Sequence, residues 1–97
     1  MNRVQYDTEV KELTTILRKR FDPNVKVESH DAHGVCTTFE FRDLSAILNL
    51  DIDPWEKQYG FWQRNESVLD VQGSVIWMDT RAELLELIKR RSIGRFY

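Results

Sequence analysis

His30, Asp31 and His33 fall within one short run of the chain, and two imidazoles beside a carboxylate can bind a metal ion or move a proton near neutral pH. A structural or catalytic metal shell needs three or four placed ligands. The following Gly34 makes the segment read first as a polar turn. A small metal-dependent hydrolase is therefore the weakest functional alternative. Asn49, Asp51 and Asp53 place three oxygen-bearing side chains at alternate positions, a pattern that suggests a hard cation. It fails as a calcium loop, because Pro54 stands where glycine is required and Gly60 where a bidentate glutamate belongs. Cys36 is the single cysteine and has no basic neighbour to lower its thiol pKa. It is expected to pack on a sheet face and not to act as a nucleophile. Phosphate-cradling glycine loops, GxSxG elbows and HExxH helices do not occur. The expectation is a non-enzymatic protein with no metal and no cofactor.

Two other groupings point to binding. Trp55, Tyr59, Phe61 and Trp62 lie close together, with Tyr59 and Phe61 on one side of an alternating segment and Trp62 on the other. One set must leave the core unless the sheet is covered on both sides. An exposed tryptophan beside Asp51, Asp53 and Glu56 would anchor a protein partner, since aromatic side chains dominate interface energetics. The second grouping is the stretch Lys89, Arg90, Arg91 and Arg95, followed by Phe96 and Tyr97, which has the chemistry to meet phosphates and bases. Lys89 to Arg91 also sit where a helix C-terminus favours cations, as do Arg18, Lys19 and Arg20.

The charge map separates these surfaces. The net charge is −2, but residues 1–20 carry five basic and three acidic groups, 21–80 carry four and eleven, and 81–97 carry five and two. The middle is acidic and the ends are basic, so a basic partner would be steered to the middle.

Ninety-seven residues with 41% apolar and 31% charged side chains fit one folded domain over 1–97 and leave no room for a second. A lone cysteine and the lack of an apolar leader or a membrane-length apolar run imply a cytoplasmic protein.

The elements follow from periodicity. Val10, Leu13, Ile16, Leu17 and Phe21 share a helical face, with the helix expected to start at Asp7 or Thr8, Glu9 in its first turn, and Asp22-Pro23-Asn24 as its stop. From Val25 the period becomes two, and Val35, Thr37, Phe39 and Phe41 continue it on a second strand. Leu48, Leu50 and Ile52 mark a third strand, 59–64 a fourth and 68–78 a fifth, with a bulge at Gly73. Thr80 and Glu83 form a capping box ahead of the apolar Leu84, Leu85, Leu87 and Ile88. Short linkers favour hairpins over parallel crossovers. The expected fold is α+β in two layers: an N-terminal helix, an antiparallel meander of four to five strands and a C-terminal helix, with both helices on one sheet face.

Helix, antiparallel strands and helix in this length resemble the double-stranded RNA-binding domain in element order. That family binds through a histidine-bearing loop between its first strands and a lysine cluster opening its last helix. His33 falls in the corresponding loop, but the last helix here opens with Asp79, Thr80, Arg81 and Glu83. The charge opposes the resemblance.

These readings converge on a small protein-binding module, similar in size and charge to inhibitor, immunity or phage accessory proteins. It would engage an unidentified protein partner, a basic one as the charge map implies, through Glu40, Asp51, Asp53, Trp55 and Trp62. A nucleic-acid binder using Lys89, Arg90, Arg91 and Arg95 is the alternative, and a homodimer is compatible with either.

Overall fold

The computed structural model describes residues 1–31, 35–42, 46–53, 57–63 and 75–92. The chain forms α1 (Arg3–Arg20), β1 (Lys26–His30), β2 (Cys36–Phe41), β3 (Ala46–Asp51), β4 (Tyr59–Gln63), β5 (Ile76–Met78) and α2 (Arg81–Ser92). The strands lie side by side in the order β1-β2-β3-β4-β5, each antiparallel to the next. The expected meander with flanking helices is the observed fold, with five strands among the described residues.

α1 starts earlier than the apolar pattern implies. Asn2 is the cap: its side chain accepts from the Gln5 amide at 2.8 Å, and the Gln5 side chain accepts from the Asn2 amide at 3.1 Å. This reciprocal box satisfies two of the amides that a helix start leaves open. The start expected at Asp7 or Thr8 is thus corrected to Arg3, and Glu9 lies beyond the first turn. The apolar stripe begins with Tyr6, which is 1% exposed; its hydroxyl meets Thr37 Oγ1 and donates to the Leu50 carbonyl. Thr80 begins α2 as expected, its hydroxyl oxygen accepting from the Glu83 amide at 3.2 Å.

The register sorts the side chains into two faces. One face carries the rows Val27, Phe39, Leu48, Phe61, Ile76 and Ser29, Thr37, Leu50, Tyr59, Met78. Both helices cover it: Tyr6 and Leu17 of α1 and Leu84 and Ile88 of α2 belong to the same buried cluster as Phe39, Leu48 and Phe61. Phe41 and Phe61 meet edge to face at 6.3 Å between ring centres, a favoured aromatic geometry. Arg81 ties the helices together, reaching Glu9 and Glu12 of α1, while the Tyr59 hydroxyl donates to Glu9 at 3.1 Å.

The edges differ from the reading by periodicity. β1 begins at Lys26 and not at Val25, which is buried just before it. All its residues except Val27 are exposed, as befits an outermost strand. β5 spans three residues, shorter than the expected 68–78; Gly73 and the rest of 64–74 lie outside the described residues, so the expected bulge does too.

Candidate functional site

Opposite the helices lies a second sheet face that no described helix covers. Its rows follow from the same register: Lys26, Glu40, Ile47, Trp62 in one, Glu28, Thr38, Asn49, Gly60, Trp77 in the next, and His30, Cys36, Asp51 in the third. The β1 and β2 side is charged, with Lys26, Glu28, His30 and Glu40 exposed. The β3 to β5 side is apolar and aromatic, with Ile47, Trp62 and Trp77 half-buried.

Gly60 is the pivot of the aromatic part. A Cβ built on it would lie 2.6 Å from Cζ3 of Trp77 and 3.0 Å from two further atoms of the same ring. The indole therefore occupies the space that any other residue type would fill. Trp77 on β5 and Trp62 on β4 consequently share a face and flank the glycine. Periodicity had set Trp62 apart as an outward residue but had not paired it with Trp77. The signal was present: a glycine at an even position between Tyr59 and Phe61 marks a close approach on the opposite face.

The predicted partner-binding residues are only partly brought together. Glu40 and Trp62 share a row, bridged by Ile47. Asp51 is on the same face but two rows away, beside Cys36, about 13 Å along the strand at 3.3 Å per residue. Asp53 is exposed beyond the end of β3, so it is not a face residue as the alternation implied. Ile52 makes the last bond in register with β2, its amide donating to the Val35 carbonyl, and Asp53 lies beyond it. Trp55 lies outside the described residues.

The remaining candidates are scattered. His30 and Asp31 are exposed, and Asp31 comes within 4.0 Å of Arg3; His33 lies outside the described residues. Among the described residues no three His, Cys, Asp or Glu side chains converge as metal ligands. Lys89, Arg90 and Arg91 occupy the last turn of α2, and Arg95 lies outside the described residues. No described helix is long and apolar enough to cross a membrane.

Cys36 is half-buried, and its thiol is pushed up to about 12, first by burial and then by the carboxylate of Asp51. Burial likewise raises the phenols of Tyr6 and Tyr59. A raised acid keeps its proton in the folded chain after the unfolded chain has lost it, so folding weakens as pH rises. For Cys36 the window opens near the ordinary thiol value of 9.0, and each such group lowers stability by up to about 1.4 kcal/mol per pH unit. The urea midpoint is expected to fall between about pH 9 and about pH 10. In Cys36→Ala the decline should begin later, where the phenols take over. An identical decline in both proteins would remove Cys36 from this account.

No family model matches the chain, and no curated protein and no solved structure matches it at a level that marks a relationship.

Proposed function

We propose that the chain is a non-enzymatic protein-binding module whose second sheet face, which no described helix covers, receives a basic partner. The observation that supports this most is the row Glu40, Ile47, Trp62 with Trp77 beside it over Gly60. It sets an aromatic and aliphatic platform directly against acidic side chains. Such a face fits a segment with an apolar side chain flanked by lysine or arginine: the platform takes the apolar group, and Glu28, Glu40 and Asp51 meet the cations. The sheet's two edges are poor alternatives for strand pairing. β1 presents exposed Lys26, Glu28 and His30, and β5 is three residues long, both common protections against edge-to-edge addition.

The test uses the immobilised chain, nuclease-treated native lysate and two salt concentrations. The expected result is a stoichiometric protein whose capture weakens with salt. Its affinity should drop by about 30-fold or more in Trp62→Ala, the loss of an aromatic anchor worth about 2 kcal/mol. Glu40→Lys should reduce the rate of association more than it raises the rate of release. A partner held equally well by both variants would overturn the proposal, as would recovery of this chain alone with a sedimentation profile of a dimer.

A further inference from the structure

The two helices deliver their basic last turns to the same end of the molecule. α1 runs from Tyr6, beside Thr37 and Leu50, to Arg18, whose guanidinium donates to the Val25 carbonyl at 3.1 and 3.3 Å. α2 starts at Arg81, held by Glu9 and Glu12, and its buried Leu84, Leu87 and Ile88 lay it back over the sheet. Arg90 shares a groove with Ile76, farther from that starting end than Met78. At about 1.5 Å of rise per residue, Lys19 lies ~10 Å beyond Glu12 and Arg90 ~13 Å beyond Arg81. Arg18, Lys19 and Arg20 thus come level with Lys89, Arg90 and Arg91.

Two further cations join them from the sheet. Lys26 opens β1 and Arg42 follows β2, and with Arg18 and Asn24 they line a shallow groove at this end. A helix dipole accounts locally for each trio of the helices, but not for Lys26 or Arg42, nor for the convergence. Among the described residues the acids nearby are Asp22, which is fully buried and accepts from the amides of Asn24 and Arg42, Glu40, which opposes Lys26 on the second sheet face, and Glu86, one turn before Arg90 on α2 and lining the same groove. Lys19, Arg20, Lys26, Arg90 and Arg91 form no ion pair among the described residues.

We infer that this end binds the phosphate backbone of a nucleic-acid duplex without regard to sequence. Five of the eight cations are arginines, whose planar fork suits phosphate oxygens. They are spread across two helix ends and two strand ends, which matches a polymer bearing charge at regular intervals. A protein partner would need an apolar anchor among them, and the apolar groove of Ile76, Met78 and Leu87 is lined by Arg90 alone of these cations. The acidic sheet face would be repelled by the same polymer and so orients the molecule upon it. This surface adjoins the face proposed above at Lys26, but the residues substituted to test each are different, so either reading can fail alone.

The experiment is fluorescence anisotropy of the full chain with a labelled duplex of about 20 base pairs in two unrelated sequences. Binding is expected to be equal for both sequences and to weaken roughly 100-fold between about 50 and 200 mM salt, the dependence expected when about four phosphates are neutralised. Arg20→Glu with Arg91→Glu should weaken it about tenfold or more and flatten the salt dependence, with the urea midpoint little changed because both side chains are exposed. Glu40→Gln should bind the duplex no less tightly. Absence of binding at low salt, or indifference to the double reversal, would overturn the inference. Competition by polyglutamate as effective as competition by unlabelled duplex would also overturn it, in favour of an acidic protein.

Discussion

Phe39→Ala is expected to lower the stability of the chain by about 3–5 kcal/mol, the largest effect of any single truncation considered. Phe39 is 0% exposed and lies on β2, second in a row running Val27, Phe39, Leu48, Phe61, Ile76. Its ring is enclosed by the sheet on one side and by the helices on the other, so the hole cannot fill by a local shift. The cost is then the lost transfer of the ring together with the lost contacts of the cavity lining. A domain of this size has about 5–15 kcal/mol in total, so the variant should lose about a fifth of its urea midpoint at the least while the dependence on urea stays constant. A loss below about 1 kcal/mol would mean that helices and sheet are not packed at this point.

Asp22→Ala comes next, at about 3 kcal/mol. Asp22 is fully buried, and its two carboxylate oxygens accept from the amide of Asn24 at 2.8 Å and from the amide of Arg42 at 2.7 Å. It also accepts the Val25 amide with its own carbonyl at 3.2 Å. One side chain thus closes the turn after α1 and fastens the end of β2 to it across twenty residues of chain. Alanine would leave two amides without their charged acceptor, and each such bond is worth about 1.5–3 kcal/mol. Amide exchange at Asn24 and Arg42 should accelerate with the fall in midpoint. If exchange at Arg42 is unaffected, the carboxylate is not what holds β2 to the turn.

Asp22 shows where local reading stops. In the sequence it precedes proline and ends a helix, and nothing in its neighbours announces that its partner is Arg42. Asn2 is a second case: the capping box with Gln5 has the usual spacing, but the apolar stripe that marks the helix becomes continuous only farther on. Tyr6 could have signalled it, being the first large apolar side chain on the buried face. The candidate face was half visible. Alternation placed Glu40, Asp51 and Trp62 away from the core, and the register agrees. It gave Asp53 the same orientation only by assuming that β3 ran two residues too far.

What residue order determined by itself is the two-layer α+β plan. A period of 3.6 and a period of two bury different stripes, and linkers too short for crossovers leave the meander as the way to pair successive strands. The inward set on β2 and β3, from Thr37 to Phe41 and from Ala46 to Leu50, follows from that alternation alone. Tertiary structure decided the rest. Which residues share a row depends on register, and that is why Glu40 stands with Trp62 and not with Asp51. Trp77 lies over Gly60 because β5 pairs with β4 at that position and nowhere else. The two basic turns lie at the same end of the molecule because α1 and α2 run in the same direction over one sheet face. Each of these is a relation between residues far apart in the chain, fixed by how the shared core is filled rather than by any local preference.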